Sequence, residues 1–96
     1  MASLYPHIYP FKGAAEELVR AVWNKGRPIP NSDPAVWRSD IRGAVMKYSE
    51  HGEATQQGWE IDHIKPVSRG GPDALENLQP LQWQNNRAKG ESYPWS

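Results

Sequence analysis

The sequence predicts a small α+β domain, and three observations carry that expectation. The stretch Ala14 to Lys25 has helical periodicity, with Leu18 and Val22 four apart and Val19 and Trp23 four apart. Between Trp59 and Gly90 the pattern reads strand, Pro/Gly loop, short strand, helix. The chain has 96 residues and no cysteine, so a single core must hold without a disulfide or a cysteine-bound zinc. The expected organisation is an extended arm over residues 1–12 and one domain over 13–96. Its core lies at 58–90, braced by N-terminal helices.

Each element has its own warrant. Tyr5-Pro6-His7-Ile8-Tyr9-Pro10-Phe11 holds two prolines, which forbid a regular helix. An arm that packs its aromatics onto the domain is expected there. In the first helix Glu16 and Glu17 suit the N-terminal dipole, and Gly26 suits the C-terminal cap. Gly26 to Ser32 reads as a loop. Asp33-Pro34 reads as an N-cap and first helical position, opening a short helix through Trp37. Ile41 to Tyr48 reads as a short strand or hairpin, and Glu50 to Gly58 as a loop. Trp59-Glu60-Ile61-Asp62 alternates apolar and polar, as a half-buried strand does. Leu78 to Leu81 is a second short strand, held to an edge by Pro80. Gln82 to Lys89 is a helix ended by Gly90. Trp37, Trp59 and Trp83 are expected in the core.

Composition narrows the function classes. A mean hydropathy of −0.81 and the lack of a long apolar run speak against a transmembrane helix, so no membrane partner is expected. No charged-then-apolar leader is visible, and a cytoplasmic location is expected. Formal net charge is zero, so no global field announces nucleic acid. Between Lys12 and Lys47, however, seven basic residues stand against four acidic ones. That is a modest basic face for phosphates, or an ordinary mixed surface.

The chemistry concentrates where the first strand gives way to the Pro/Gly loop. Asp62 and His63 sit there side by side. A carboxylate can offer oxygen to a hard cation, while a neutral imidazole takes a proton from water. The dipeptide alone is weak evidence, since such pairs are common on surfaces. The residues after it are more specific: Asp62-His63-Ile64, Pro66, Ser68, Gly70-Gly71, Asn77-Leu78-Gln79-Pro80-Leu81, Asn86 and Lys89-Gly90. This series resembles the HNH endonuclease family, with its ββα-metal fold, and covers about a third of the chain. His63 to Asn77 is fourteen residues and Asn77 to Asn86 is nine, both of which fit the family spacing.

The resemblance implies roles residue by residue. His63 is implied as the general base, with a turn-closing histidine as the alternative. Asp62 is implied as a metal ligand, with a strand-end salt bridge or turn as the alternative. Asn86 is implied as the second ligand, favoured over Asn85 by spacing. Asn77 is implied as the residue that fixes the loop and orients His63. Arg69, Arg87 and Lys89 are candidate phosphate contacts, or ordinary solvated cations. Glu60, two residues before Asp62, is a candidate supporting group or a surface ion pair.

Two departures from the family pattern matter. Many members carry two Cys-x-x-Cys pairs around a structural zinc; here those places fall at Asp40 and Gly43, and at Gln82 and Asn85. Some members also place a histidine four residues after the third signature position, which here is Gly90. Only Asp62 and Asn86 remain as implied ligands. Two oxygens with open positions suit Mg²⁺ or Mn²⁺ better than Zn²⁺. The expected function is metal-dependent hydrolysis of DNA phosphodiesters, with DNA as partner and little sequence preference. A double-strand break from one site per chain would call for a homodimer or two encounters. The alternatives are a nucleic-acid-binding module that keeps the fold without useful catalysis, and a structural or protein-binding domain.

Overall fold

The computed structural model describes residues 9–95. Helix α1 spans Glu16–Trp23, and five strands follow: β1 (Arg27–Pro28), β2 (Trp37–Ser39), β3 (Val45–Lys47), β4 (Trp59–His63) and β5 (Leu78–Gln82). Helix α2, Trp83–Lys89, closes the order. The α+β class is as the sequence predicts. Strands β1, β2 and β3 form one antiparallel sheet, and β4 and β5 form a second.

The brace differs from the expected set of helices. Among the described residues it is one helix and the three-stranded sheet. After Asp33 the chain makes a single turn: the Val36 and Trp37 amides both donate to the Asp33 carbonyl, and Trp37 then enters β2. The pull of sheet pairing outweighs the local capping signal. Of the strand or hairpin expected over Ile41 to Tyr48, the range itself holds one short strand, β3, which pairs across a turn at Asp40–Ala44 with β2 before it. Of the arm, residues 1–8 lie outside the described residues.

The core joins Val19, Val22 and Trp23 of α1 to Met46, Trp59, Ile61 and Leu78. Trp23 and Trp59 meet at 5.1 Å between ring centroids. Trp37 and Trp83 are only half-buried, at the margins of that core. β4 is buried on both faces rather than one. Its odd positions, Trp59 and Ile61, enter the core, while Glu60 and Asp62 lie under α2. The alternating pattern is real; the polar face is covered by a helix instead of water.

A buried hub ties the two sheets together. Asp40 is 1% exposed. Its Oδ1 accepts from the Arg42 and Ala44 amides, and its Oδ2 from the Gln82 amide and Asn85 Nδ2, all at 2.9–3.0 Å. Gln82 caps α2 by accepting from the Gln84 and Asn85 amides. The hub therefore fixes where α2 starts, and so where its cleft-facing residues fall.

Candidate metal and phosphodiester site

β4, the loop after it and α2 converge on a cleft of about 600 Å³. β4 contributes Ile61, Asp62 and His63; α2 contributes Asn86 and Arg87. Tyr9, Pro10 and Phe11 form a further wall. Asp62 and His63 thus line one space with Asn86, more than twenty residues further along the chain.

Asp62 is the most constrained of them. Its Oδ2 accepts from Gln79 Nε2 at 2.9 Å, its cross-strand partner. Its Oδ1 accepts from Lys89 Nζ at 3.3 Å. Burial pushes its carboxyl above the ordinary carboxylate value, while the Gln79 bond and the Lys89 ammonium pull it back. Lys89 is 2% exposed and also donates to the His63 carbonyl at 2.9 Å. The expectation of Lys89 as a phosphate contact therefore needs correction: its ammonium lies inside the protein on a carboxylate. Three residues after Asn86 it shares that helix face, but the face points at β4.

His63 Nε2 lies 2.7 Å from Asp73 Oδ1. A carboxylate only accepts, so Nε2 carries a hydrogen, and in the neutral ring the lone pair falls on Nδ1. Nδ1 has no hydrogen-bond partner among the described residues. The Phe11 ring packs on the imidazole with centroids 5.4 Å apart.

Asn77 fixes the loop. Its Oδ1 accepts from the Lys65 amide at 2.9 Å, and its Nδ2 donates to the Lys65 and Pro72 carbonyls at 3.0 and 2.9 Å. It thereby holds the backbone two residues after His63 and the residue before Asp73. Gly71 permits this closure, because a Cβ there would lie 1.7 Å from the Lys65 carbonyl oxygen.

Asn86 Nδ2 donates to Glu60 Oε1 at 2.8 Å, and its Oδ1 has no partner among the described residues. Glu60 is buried and also faces Arg87 Nη2 at 3.4 Å. It orients Asn86 rather than forming a surface pair. Asn85 is turned to Asp40 instead. Arg87 lines the cleft and is partly exposed; Arg69 is exposed on the 3₁₀ turn Val67–Arg69 but does not line it.

The donors offered to a metal are one carboxylate and one amide oxygen. Among the described residues, no three His, Cys, Asp or Glu side chains cluster closely enough to hold an ion. Two hard oxygens in an open cleft fit a hard divalent cation whose shell is completed by water and phosphate. Against this, the Lys89 ammonium competes for the same carboxylate.

Sequence reasoning missed two supporting groups, Asp73 and Gln79, and it expected Tyr9 and Phe11 to pack on the domain without placing them at the cleft. Gln79 was recoverable from strand register. Asp73 carried no signal, since its role depends on how a ten-residue loop folds back.

Residues 48–92 match the HNH endonuclease family. The matched segment holds Asp62, His63, Asn77 and Asn86. HNH domains are generally nucleases that act on DNA with a divalent metal. No curated protein and no solved structure matches the chain. No helix among the described residues is long and apolar enough to cross a membrane.

Proposed function

We propose that the chain is a metal-dependent endonuclease that hydrolyses DNA phosphodiesters. One observation carries the reading: His63, bonded to Asp73 through Nε2 and with Nδ1 unpartnered among the described residues, lines the same cleft as Asp62 and Asn86. Nδ1 takes the proton of the attacking water. The Asp73 carboxylate, on the other ring nitrogen, keeps the imidazole in that tautomer and stabilises the cation it becomes. Asp62 and Asn86 Oδ1 would hold Mg²⁺ or Mn²⁺, which when bound supplies charge to the phosphate and leaving oxygens. Gln79 and Glu60 aim these two ligands. Arg87 meets a flanking phosphate.

A second reading is a nucleic-acid-binding module without useful catalysis. The Lys89 ammonium on Asp62 favours it, because a cation already sits where the metal would bind. Plasmid relaxation in Mg²⁺, Mn²⁺, Zn²⁺ and EDTA, with His63→Ala beside wild type, decides between them. We expect nicking in Mg²⁺ or Mn²⁺ that vanishes in EDTA and falls at least about a hundredfold in the variant. If both proteins shift DNA on a gel and neither nicks it, the binding module replaces the nuclease.

A further inference from the structure

Among the described residues β4 has one strand partner, β5, and its other edge meets the chain at a single parallel bridge, His51 to Trp59. The Gly52 amide donates to the Trp59 carbonyl at 2.8 Å, and the Ile61 amide donates to the Tyr9 hydroxyl at 2.6 Å. Tyr9 in turn meets His51 Nε2 at 2.7 Å, with the two rings edge-on at 5.4 Å. Burial raises the Tyr9 phenol far above its usual value, so it stays neutral and serves as both acceptor and donor. Lys12 Nζ donates to the Gly52 carbonyl at 3.2 Å and secures the arm a second time. From this anchor Phe11 reaches the His63 ring.

We propose that Tyr9 and Phe11, which lie outside the family-matched segment, are positioning residues of the site. Tyr9 latches the arm to the open edge of β4, and Phe11 holds the His63 ring so that Nδ1 faces the cleft. Asp73 alone is a weak tether, because its side chain is 84% exposed and water competes for it. The apolar face of Phe11 restricts the ring rotation that Asp73 leaves free. The catalytic consequence rests on the nuclease reading; the latch does not.

The test uses the full chain with Phe11→Ala, Phe11→Tyr and Tyr9→Phe. Nicking kinetics are measured well below each Tm. For Phe11→Ala we expect kcat to fall about tenfold to a hundredfold with KM little changed, as a ring misplaced by about 1 Å would cause. Phe11→Tyr restores it. Long-range ¹H–¹⁵N spectra of the His63 ring read the same inference without substrate. One tautomer in wild type becomes a mixture in Phe11→Ala. Tyr9→Phe, the milder change, speeds hydrogen exchange at the Ile61 amide. Unchanged kcat with unchanged ring signals in Phe11→Ala overturns the role of Phe11. Unchanged Ile61 exchange in Tyr9→Phe overturns the latch. If wild type does not nick at all, the nuclease reading fails, and the ring and exchange measurements still decide the arm.

Discussion

An ammonium buried beside a carboxylate is stable only while both charges remain, and Lys89 and Asp62 are 2% and 8% exposed at their side chains. Removing one leaves the other desolvated and uncompensated. Lys89→Met should therefore cost about 3–5 kcal/mol in urea unfolding. The same change takes a positive charge away from the proposed ligand. Mn²⁺ should then raise the Tm of the variant more than that of wild type, since a cation that binds only the folded state stabilises it by mass action. Equal Mn²⁺-induced shifts would show that Lys89 does not compete with the metal. Asp62, His63, Asn77 and Asn86 were legible in the sequence because their spacing reflects a motif. The partners were not. Lys89 reads as a surface cation in any helical projection that lacks β4, and Asp73 reads as an ordinary loop acid.

At the scale of elements, both helices and the β4–β5 pair were legible, because periodicity and turn residues mark them locally. β1 was not, since Arg27-Pro28 carries no strand pattern and exists only by pairing with β2. The Asp33-Pro34 signal misled for the converse reason: its cap is genuine, with the Ala35 amide on Asp33 Oδ1 at 3.0 Å, but sheet pairing claims Trp37. Asp40 shows how element placement is secured without zinc. It and Asn85 meet in one hydrogen-bonded hub with the Gln82 amide. Asp40→Ala strands several buried donors, each worth about 1–3 kcal/mol when unsatisfied, so a total loss above about 3 kcal/mol is expected. Asp33→Ala removes one exposed bond and should cost under about 1 kcal/mol. Comparable urea midpoints for the two variants would refute the hub. Because Gln82 caps α2, Asp40→Ala should also loosen the Asn86 and Lys89 contacts, which amide exchange along α2 would register.

At the scale of the whole molecule, His51 joins the arm, the loop before β4 and the core: it bonds Tyr9 and stacks on Trp59 at 4.8 Å. Burial lowers its pKa from 6.5; Glu60 and Glu53 act to raise it and Lys12 to lower it. A base whose folded pKa is depressed binds fewer protons folded than unfolded. Its contribution is complete above the unfolded value and is lost as pH falls below 6.5 toward the folded value. Asp62 has the opposite sign, because a raised carboxyl recovers stability on acidification, in a window that runs upward from 3.8. Between pH 7.5 and about pH 5.5 the wild-type urea midpoint should therefore fall relative to that of a variant without the His51 imidazole. His51→Gln keeps an acceptor for the Tyr9 hydroxyl and cannot titrate, so its midpoint should fall less than that of wild type over the same range. Parallel decline in both proteins would place the proton elsewhere. A smaller decline in the variant would show that one of the links between arm and core, the Tyr9–His51 bond, loosens as the imidazole gains a proton.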